Sequence, residues 1–138
     1  NGEYYITPHI NKHDSMQLHK HQIDIDAKYF DVVKKGMHRV MTNGTGRYYL
    51  IDGIEVAGKT GTAENPHGKD HAVFIGYAPL ENPQIAVAVV VENAGFGATW
   101  AAPIASLMIE QYLTGEIKRK DLKNRIANAV INESVKIW

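Results

Sequence analysis

The sequence predicts a mixed chain in which an antiparallel meander of strands is flanked by helices. Three observations carry that prediction. Tyr29/Phe30, Val33, Met37 and Val40/Met41 recur at helical spacing. Farther on, three strand-like runs, 54–62, 72–78 and 84–92, are joined by links short enough for antiparallel neighbours and too short for crossovers. A second helical segment, 100–113, follows a glycine-rich loop and stops at Gly115.

In chain order, Tyr4–Ile10 reads as a short strand at an edge or strand end, because Pro8 lies inside it. Residues 11–22 are polar and histidine-rich, a surface connection. Asp26 is placed to cap a helix over Ala27–Thr42, and Asn43-Gly44 to end it; the stripe Tyr29/Val33/Met37 reads as core packing. These elements form a lead-in region, 1–53. The meander occupies 54–92, and its last strand, with the run Ile85–Val91, implies burial on both faces. A helical region follows at 99–115, with Thr99 placed as cap, Pro103 in the first turn, and Ile104, Leu107/Met108 and Tyr112 along one side. Phe96 and Trp100, at the helix start, read as core anchors in preference to a lip over a ligand groove. In the tail, 116–138, Leu122, Ile126 and Val130 recur among charges and predict a second surface helix, with Lys118–Lys120 as a solvated patch.

Composition narrows the function classes. A chain of 138 residues with 44% hydrophobic and 22% charged residues is one domain, or part of a larger one, with a moderate core. Fifteen basic residues balance fifteen acidic ones, so no global field draws nucleic acid or an anionic membrane. The absence of cysteine removes disulfides and thiolate metal sites. The longest apolar run, Ile85–Val91, is too short to cross a bilayer. The chain opens on Asn1 without a methionine and reads as a piece of something longer. Seven histidines raise the question of a metal. His19 and His21 share a strand side, and His67 and His71 have an i, i+4 spacing that converges only on a helix, which Pro66 and Gly68 oppose. No carboxylate completes a closed set, so no metal is expected, and His71 reads as a hydrogen-bonding residue at a strand start.

The segment Val56-Ala-Gly-Lys-Thr-Gly-Thr-Ala-Glu64 carries most of the functional information, and it admits two chemistries. Gly53-Ile-Glu-Val-Ala-Gly58-Lys59-Thr60 fits the phosphate-loop pattern G-x-x-x-x-G-K-[ST], with Val87–Val91 and Glu92 as a Walker-B-like strand. A phosphate loop must curl and then launch a helix. Here Ile54, Glu55, Val56 and Ala57 alternate as in a strand, and Gly61, Pro66 and Gly68 oppose a helix behind. Read the other way, Lys59-Thr60-Gly61 is the K-T-G element of serine enzymes that acylate on β-lactams and D-Ala-D-Ala peptides. On a strand edge Thr60 and Thr62 would share one side, offering hydroxyls to a carboxylate. Lys59 would add positive charge, and Gly61 would let a ligand approach the backbone.

The surroundings favour the second chemistry. Gly58-Lys-Thr-Gly-Thr-Ala-Glu64, His71-Ala-Val-Phe-Ile-Gly-Tyr-Ala-Pro79, Ile85-Ala-Val-Ala-Val-Val-Val-Glu-Asn93 and Ala101-Ala-Pro103 follow in an order that resembles the C-terminal part of the class B penicillin-binding protein transpeptidase domain. Upstream, Tyr4-Tyr-Ile-Thr-Pro-His-Ile10 and Val33-Lys-Lys-Gly-Met-His-Arg-Val40 look like the segments that precede that element, most of all in penicillin-binding protein 2-like members. The resemblance runs from Tyr4 to about Leu113; Val73 stands where the family usually has tryptophan in His-Ala-Trp-Phe.

The resemblance implies an α/β fold of the α+β type, an antiparallel sheet flanked by helices, with 1–138 as the C-terminal portion of one transpeptidase domain. It implies that Lys59, Thr60, Gly61 and Thr62 bind substrate, with the Thr62 backbone N–H as an oxyanion donor. The family's Ser-x-x-Lys and Ser/Tyr-x-Asn elements are absent: Ser15, Ser106 and Ser134 have neither lysine three positions on nor asparagine two positions on. Nucleophile and base are therefore expected upstream, and the chain alone is expected to be inactive. Implied ligands are the D-Ala-D-Ala stem peptide of peptidoglycan and β-lactams, with a cell-wall glycosyltransferase as partner. No metal, organic cofactor or nucleic acid is implied. The implied location is the periplasmic face of the bacterial inner membrane, through an N-terminal anchor outside this chain. A D,D-carboxypeptidase, β-lactamase or sensor of the same superfamily, a non-catalytic interaction module, and a phosphate-loop nucleotide binder stand as alternatives.

Overall fold

The structure, a computed structural model, describes residues 2–4 and 20–131. Of the strand predicted at Tyr4–Ile10 only Tyr4 is among them, and His19, Ser15, Ser134 and the end of the tail lie outside the described residues. The chain divides into two compact units, Asn1–Lys34 and Lys35–Trp138.

In the first unit β1 (Glu3–Tyr4) pairs antiparallel with β2 (His21–Gln22), and the rings of Tyr4 and His21 stack at 5.1 Å. Helix α1 (Ala27–Thr42) begins as its sequence predicts: the Lys28 N–H donates to Asp26 Oδ1 at 3.1 Å, satisfying a donor that the helix itself leaves free. Hydrogen bonding from the Lys28 side chain and amide holds the Asp26 carboxyl below its ordinary pKa. The predicted core stripe does not hold. Tyr29 and Val33 are 57% and 60% exposed, Met37 is half-buried, and only Met41, in the last turn, is buried. Periodicity says which side chains share a helix face, not what lies against that face.

The second unit is built on an antiparallel sheet of β3 (Ala57–Ala63), β4 (His71–Ala78) and β5 (Ile85–Val91), in that order. The register sets Thr60 beside Phe74 and Val89, and Gly58 beside Gly76 and Val87. The predicted first strand starts later than expected. Ile54 makes only an isolated bridge with Ile51, because the chain turns at Asp52-Gly53, where Gly53 takes φ +71. Helix α2 (Ala101–Thr114) packs across β4 and β5 on one side. Ala72, Phe74 and Ala78 of β4 are buried on that side, with Ile85, Val87, Val89 and Val91 of β5 packed alongside. The expectation that β5 is buried on both faces is thus overturned: Ala86, Ala88 and Val90 are exposed, Val90 at 62%. A continuous apolar run cannot distinguish a strand covered twice from one covered once.

The side of α2 that meets the sheet also differs from the predicted one. Ala101, Ala102, Ala105 and Ile109 are buried; of the predicted side Leu107 is buried and Ile104 half-buried, whereas Met108 and Tyr112 are exposed. Alanines let the helix lie close to the strands, a preference that a search for bulky apolar residues passes over. Thr99 is not the cap; the helix starts after Trp100 without a side-chain cap, and the Thr99 N–H closes a turn onto Phe96 O at 2.9 Å. Gly115 ends α2 as predicted, at φ +78 with its N–H on Gln111 O.

Two paired glycines seat the largest fully buried side chain. A Cβ on Gly58 would stand 2.3 Å from Phe74 Cζ, and one on Gly76 2.8 Å from Phe74 Cε1. The Phe74 ring therefore lies down across the Gly58–Gly76 pair, where it is 1% exposed. Gly58→Ala should displace the ring and destabilise the fold by about 1–3 kcal/mol, the usual range for overpacking. Denaturant titration of the variant checks this, and an unchanged midpoint would remove the seat from the account.

The tail holds α3 (Lys120–Ala127), shorter than the region assigned to it. Arg119 is no part of a solvated patch. Its Nε lies 3.0 Å from Glu110 Oε2, its Nη1 donates to Tyr49 O, Leu50 O and Ser106 Oγ, and its Nη2 donates to Ser106 O. Glu110, itself 3% exposed, also accepts the Lys118 N–H at 3.1 Å. This latch ties the start of the tail to α2 and to the 3-10 turn Arg47–Tyr49.

Candidate active site

Lys59, Thr60, Gly61 and Thr62 lie extended in β3, and among the described residues β3 pairs only with β4, leaving its other edge free. A helix does not follow; the strand continues to Ala63 and passes into the loop 64–70. The curled loop and helix start that phosphate binding requires are therefore missing, and the phosphate-loop match of the sequence is coincidental. Gly58, which completes that match, is accounted for by the Phe74 ring.

Thr60 and Thr62 are register partners of Phe74 and Ala72, so they share one side of the strand, and Lys59 and Gly61 fall on the other. Thr60 is half-buried; Lys59 and Thr62 are exposed. The Thr60 hydroxyl lies 2.7 Å from the hydroxyl of Thr45, in the turn after α1. The Lys59 ammonium donates to the Thr60 carbonyl. Within the chain Gly61 is roomy: a Cβ there would meet nothing nearer than Val73 Cβ at 3.5 Å.

The tight glycine is Gly97, which the sequence reading did not single out. A Cβ on it would stand 2.2 Å from Val73 O and 2.3 Å from Gly61 O, so the loop backbone rests directly on the Gly61–Val73 pair. The neighbour of so close a contact is turned away from it, and Phe96 is 72% exposed instead of a core anchor. Trp100 does pack against the core.

A brace of polar groups holds the start of that loop. The Asn93 N–H donates to His71 Nδ1 at 3.1 Å, as expected of a hydrogen-bonding histidine at the start of β4. Asn65 Nδ2 donates to Asn93 Oδ1 at 2.7 Å, and the Gly95 N–H donates to Asp70 O at 2.7 Å. Asn93 adopts φ +54, a region that asparagine tolerates better than most residues. His67 is exposed in the same loop, and no group of three metal-ligating side chains occurs among the described residues. Asn65, Asp70 and Asn93 carried no sequence signal beyond their loop composition.

An edge strand carrying Lys-Thr-Gly-Thr, backed by an antiparallel sheet and covered on one side by a helix, is the arrangement that the family resemblance implies. Residues 1–110 match the family model of the penicillin binding protein transpeptidase domain, and the chain belongs to that family. It is 37% identical over 113 residues to the peptidoglycan D,D-transpeptidase MrdA of Haemophilus influenzae, a match covering 69% of this chain and 17% of that protein. It is 38% identical over 104 residues to the stage V sporulation protein D of Bacillus subtilis, covering 68% of this chain and 16% of the relative. Among solved structures, Pseudomonas aeruginosa PBP2 matches with a TM-score of 0.67 and 34% identity over 87% of this chain and 29% of that one. The penicillin G acyl-enzyme of Mycobacterium tuberculosis penicillin-binding protein A matches with a TM-score of 0.54 and 29% identity, over 72% of this chain and 24% of that one. The chain thus spans about a sixth of the length of the curated relatives it matches.

Proposed function

We propose that this chain supplies the Lys-Thr-Gly side of a peptidoglycan D,D-transpeptidase site and forms the C-terminal portion of a single transpeptidase domain. The observation that carries the reading is the extended strand Lys59–Thr62, on a sheet edge that is free among the described residues, in a member of this family. The stem peptide adds to that edge as a further strand, so main-chain hydrogen bonds align it. The Thr60 and Thr62 hydroxyls and the Lys59 ammonium bind its terminal carboxylate. In an antiparallel ladder, residues two apart direct their amides the same way. The bond from Lys59 to the Thr60 carbonyl fits a peptide group facing away from β4, and the same alternation turns the Thr62 N–H to the open side, as an oxyanion donor.

The chain contains no Ser-x-x-Lys, so the nucleophile and its base come from residues outside it. In the intact protein the serine oxygen attacks the carbonyl of the penultimate D-Ala, and its proton passes to the base. The tetrahedral oxyanion is held by the Thr62 N–H and a second donor. The base returns that proton to the nitrogen of the terminal D-Ala as the bond to it breaks, and that residue leaves as the amine. An amine of a neighbouring strand then attacks the acyl-serine, forming the cross-link and freeing the serine. A β-lactam follows the same first step, but its leaving group stays tethered. The reading places the protein outside the cytoplasm, held at the membrane by a segment outside this chain, beside a glycosyltransferase that makes the glycan strands. The D,D-transpeptidase name of MrdA and the penicillin G acyl-enzyme of penicillin-binding protein A support the acylation chemistry of this reading.

A fluorescent penicillin is expected to label the full-length protein covalently, and the 138-residue chain alone is expected to remain unlabelled. Lys59→Met in the full-length protein should slow labelling by about tenfold or more, the range for losing a charged hydrogen-bond partner. Label retained on the isolated chain, or none on the full-length protein, would sink the assignment. The missing Ser-x-x-Lys is also what a non-catalytic recognition module would show. Reversible binding without acylation in the full-length protein would favour that second reading.

A further inference from the structure

Thr45 belongs to no element that the proposed chemistry uses, yet its hydroxyl is 2.7 Å from Thr60 Oγ1. We propose that Thr45 is a positioning residue that turns the Thr60 hydroxyl toward the carboxylate of the ligand. The inference rests on the reading of β3 as a carboxylate-binding edge.

Three observations support it. Thr45 is held where it is: the Gly46 N–H donates to Val40 O at 2.9 Å, and the Arg47 N–H and guanidinium both donate to Gly44 O. The glycines on either side leave no slack. A Cβ on Gly44 would stand 2.9 Å from Val40 O, and one on Gly46 2.5 Å from Met41 Sδ, the fully buried end of α1. The Gly44-Thr45-Gly46 turn is thus clamped onto the last turn of α1, and its one side chain reaches across to β3.

The third is proton arithmetic. A threonine hydroxyl has a single hydrogen to donate and lone pairs to accept with. If Thr60 donates to Thr45, it has no donor left and presents only lone pairs, which repel an anion. If Thr45 donates to Thr60, the Thr60 hydrogen is free and points away from Thr45. A carboxylate selects the second arrangement, and the chain Thr45 O–H to Thr60 O–H to carboxylate is polarised in one direction. Both threonines lie toward the surface, so their bond does little for folding, and its effect falls on the ligand.

The test measures acylation of the full-length protein by benzylpenicillin and by its methyl ester, in which the anionic group is masked. Thr45→Val keeps the shape and removes the donor; Thr45→Ser keeps the donor. The expected result is a roughly tenfold loss of acylation efficiency for the acid in Thr45→Val, mainly in the binding constant. The ester should be little changed, and Thr45→Ser should return the acid to within about twofold of the parent. Equal losses for acid and ester, no loss for the acid, or failure of Thr45→Ser to restore it would each overturn the role of Thr45 while leaving the edge-strand site intact. Failure of the parent protein to acylate with either compound would instead remove the site reading and the Thr45 inference together.

Discussion

Gly97→Val in the full-length protein is expected to cut β-lactam acylation by about a hundredfold or more while leaving most of the sheet folded. Even the first added carbon would stand 2.2 Å from Val73 O and 2.3 Å from Gly61 O. Both are main-chain atoms in the middle of a ladder, so neither can swing aside as a side-chain tip would. The loop must lift, or β3 must bow outward at Gly61. Either change moves the Thr62 amide and the carboxylate contacts. A misplacement of about 1 Å in a reacting constellation is worth about a hundredfold, and loss of a single oxyanion donor costs about 10²–10³. The contrast is Gly61→Ala, whose Cβ would meet only Val73 Cβ at 3.5 Å. The smaller change at Gly61 should be tolerated structurally, so any loss it causes reports on the ligand side. Stopped-flow acylation of both variants, with thermal unfolding as a control, separates them. Parent-like acylation in Gly97→Val would show that the loop does not hold the strand.

The second large effect is expected at Arg119. Arg119→Met keeps much of the side-chain volume but strips Glu110 of its guanidinium partner and leaves Ser106, Tyr49 and Leu50 without theirs. The Glu110 side chain is 4% exposed, so its carboxylate cannot turn to water for compensation. Breaking a buried pair on one side costs about 3–5 kcal/mol, because an unpaired charge is left inside. The urea midpoint of the domain should fall accordingly. Glu110→Gln combined with Arg119→Met should lose less than Arg119→Met alone, since the stranded charge is gone. A double variant no more stable than the single one would show that the lost packing of the arginine, and not the isolated carboxylate, sets the effect.

These two residues also mark where sequence reading ended. The K-T-G strand was legible because period-two alternation and glycine placement are local: Lys59 through Thr62 state their conformation within a few positions. Helix α1 was legible for the same reason, from its Asp26 cap and the 3.6 period, and α2 from its stop at Gly115, although its predicted cap was not used. Most of what failed depends on a distant partner. Tyr29 and Val33 share a helix face with Met41, but only Met41 meets the buried core. Val90 looks like its buried neighbours until the sheet is seen to be covered on one side. Arg119 finds its acceptors at Tyr49 and Leu50, some seventy residues away, and reads in sequence as one more charge in a basic run. Gly97 could have been suspected as the second glycine of Gly95-Phe96-Gly97, but the pair it rests on is known only from the register of β3 and β4.

The ammonium of Lys59 is already engaged, on the carbonyl of the residue that follows it. An arriving anion therefore meets no idle cation. It must draw the charge off a neutral dipole, and the gain is the difference between two attachments, not the whole of one. Uncharged compounds cannot make that exchange worthwhile, whereas a carboxylate can. On the proposed reading of the strand as a carboxylate-binding edge, the lysine would select against neutral compounds more than it would add tight adhesion.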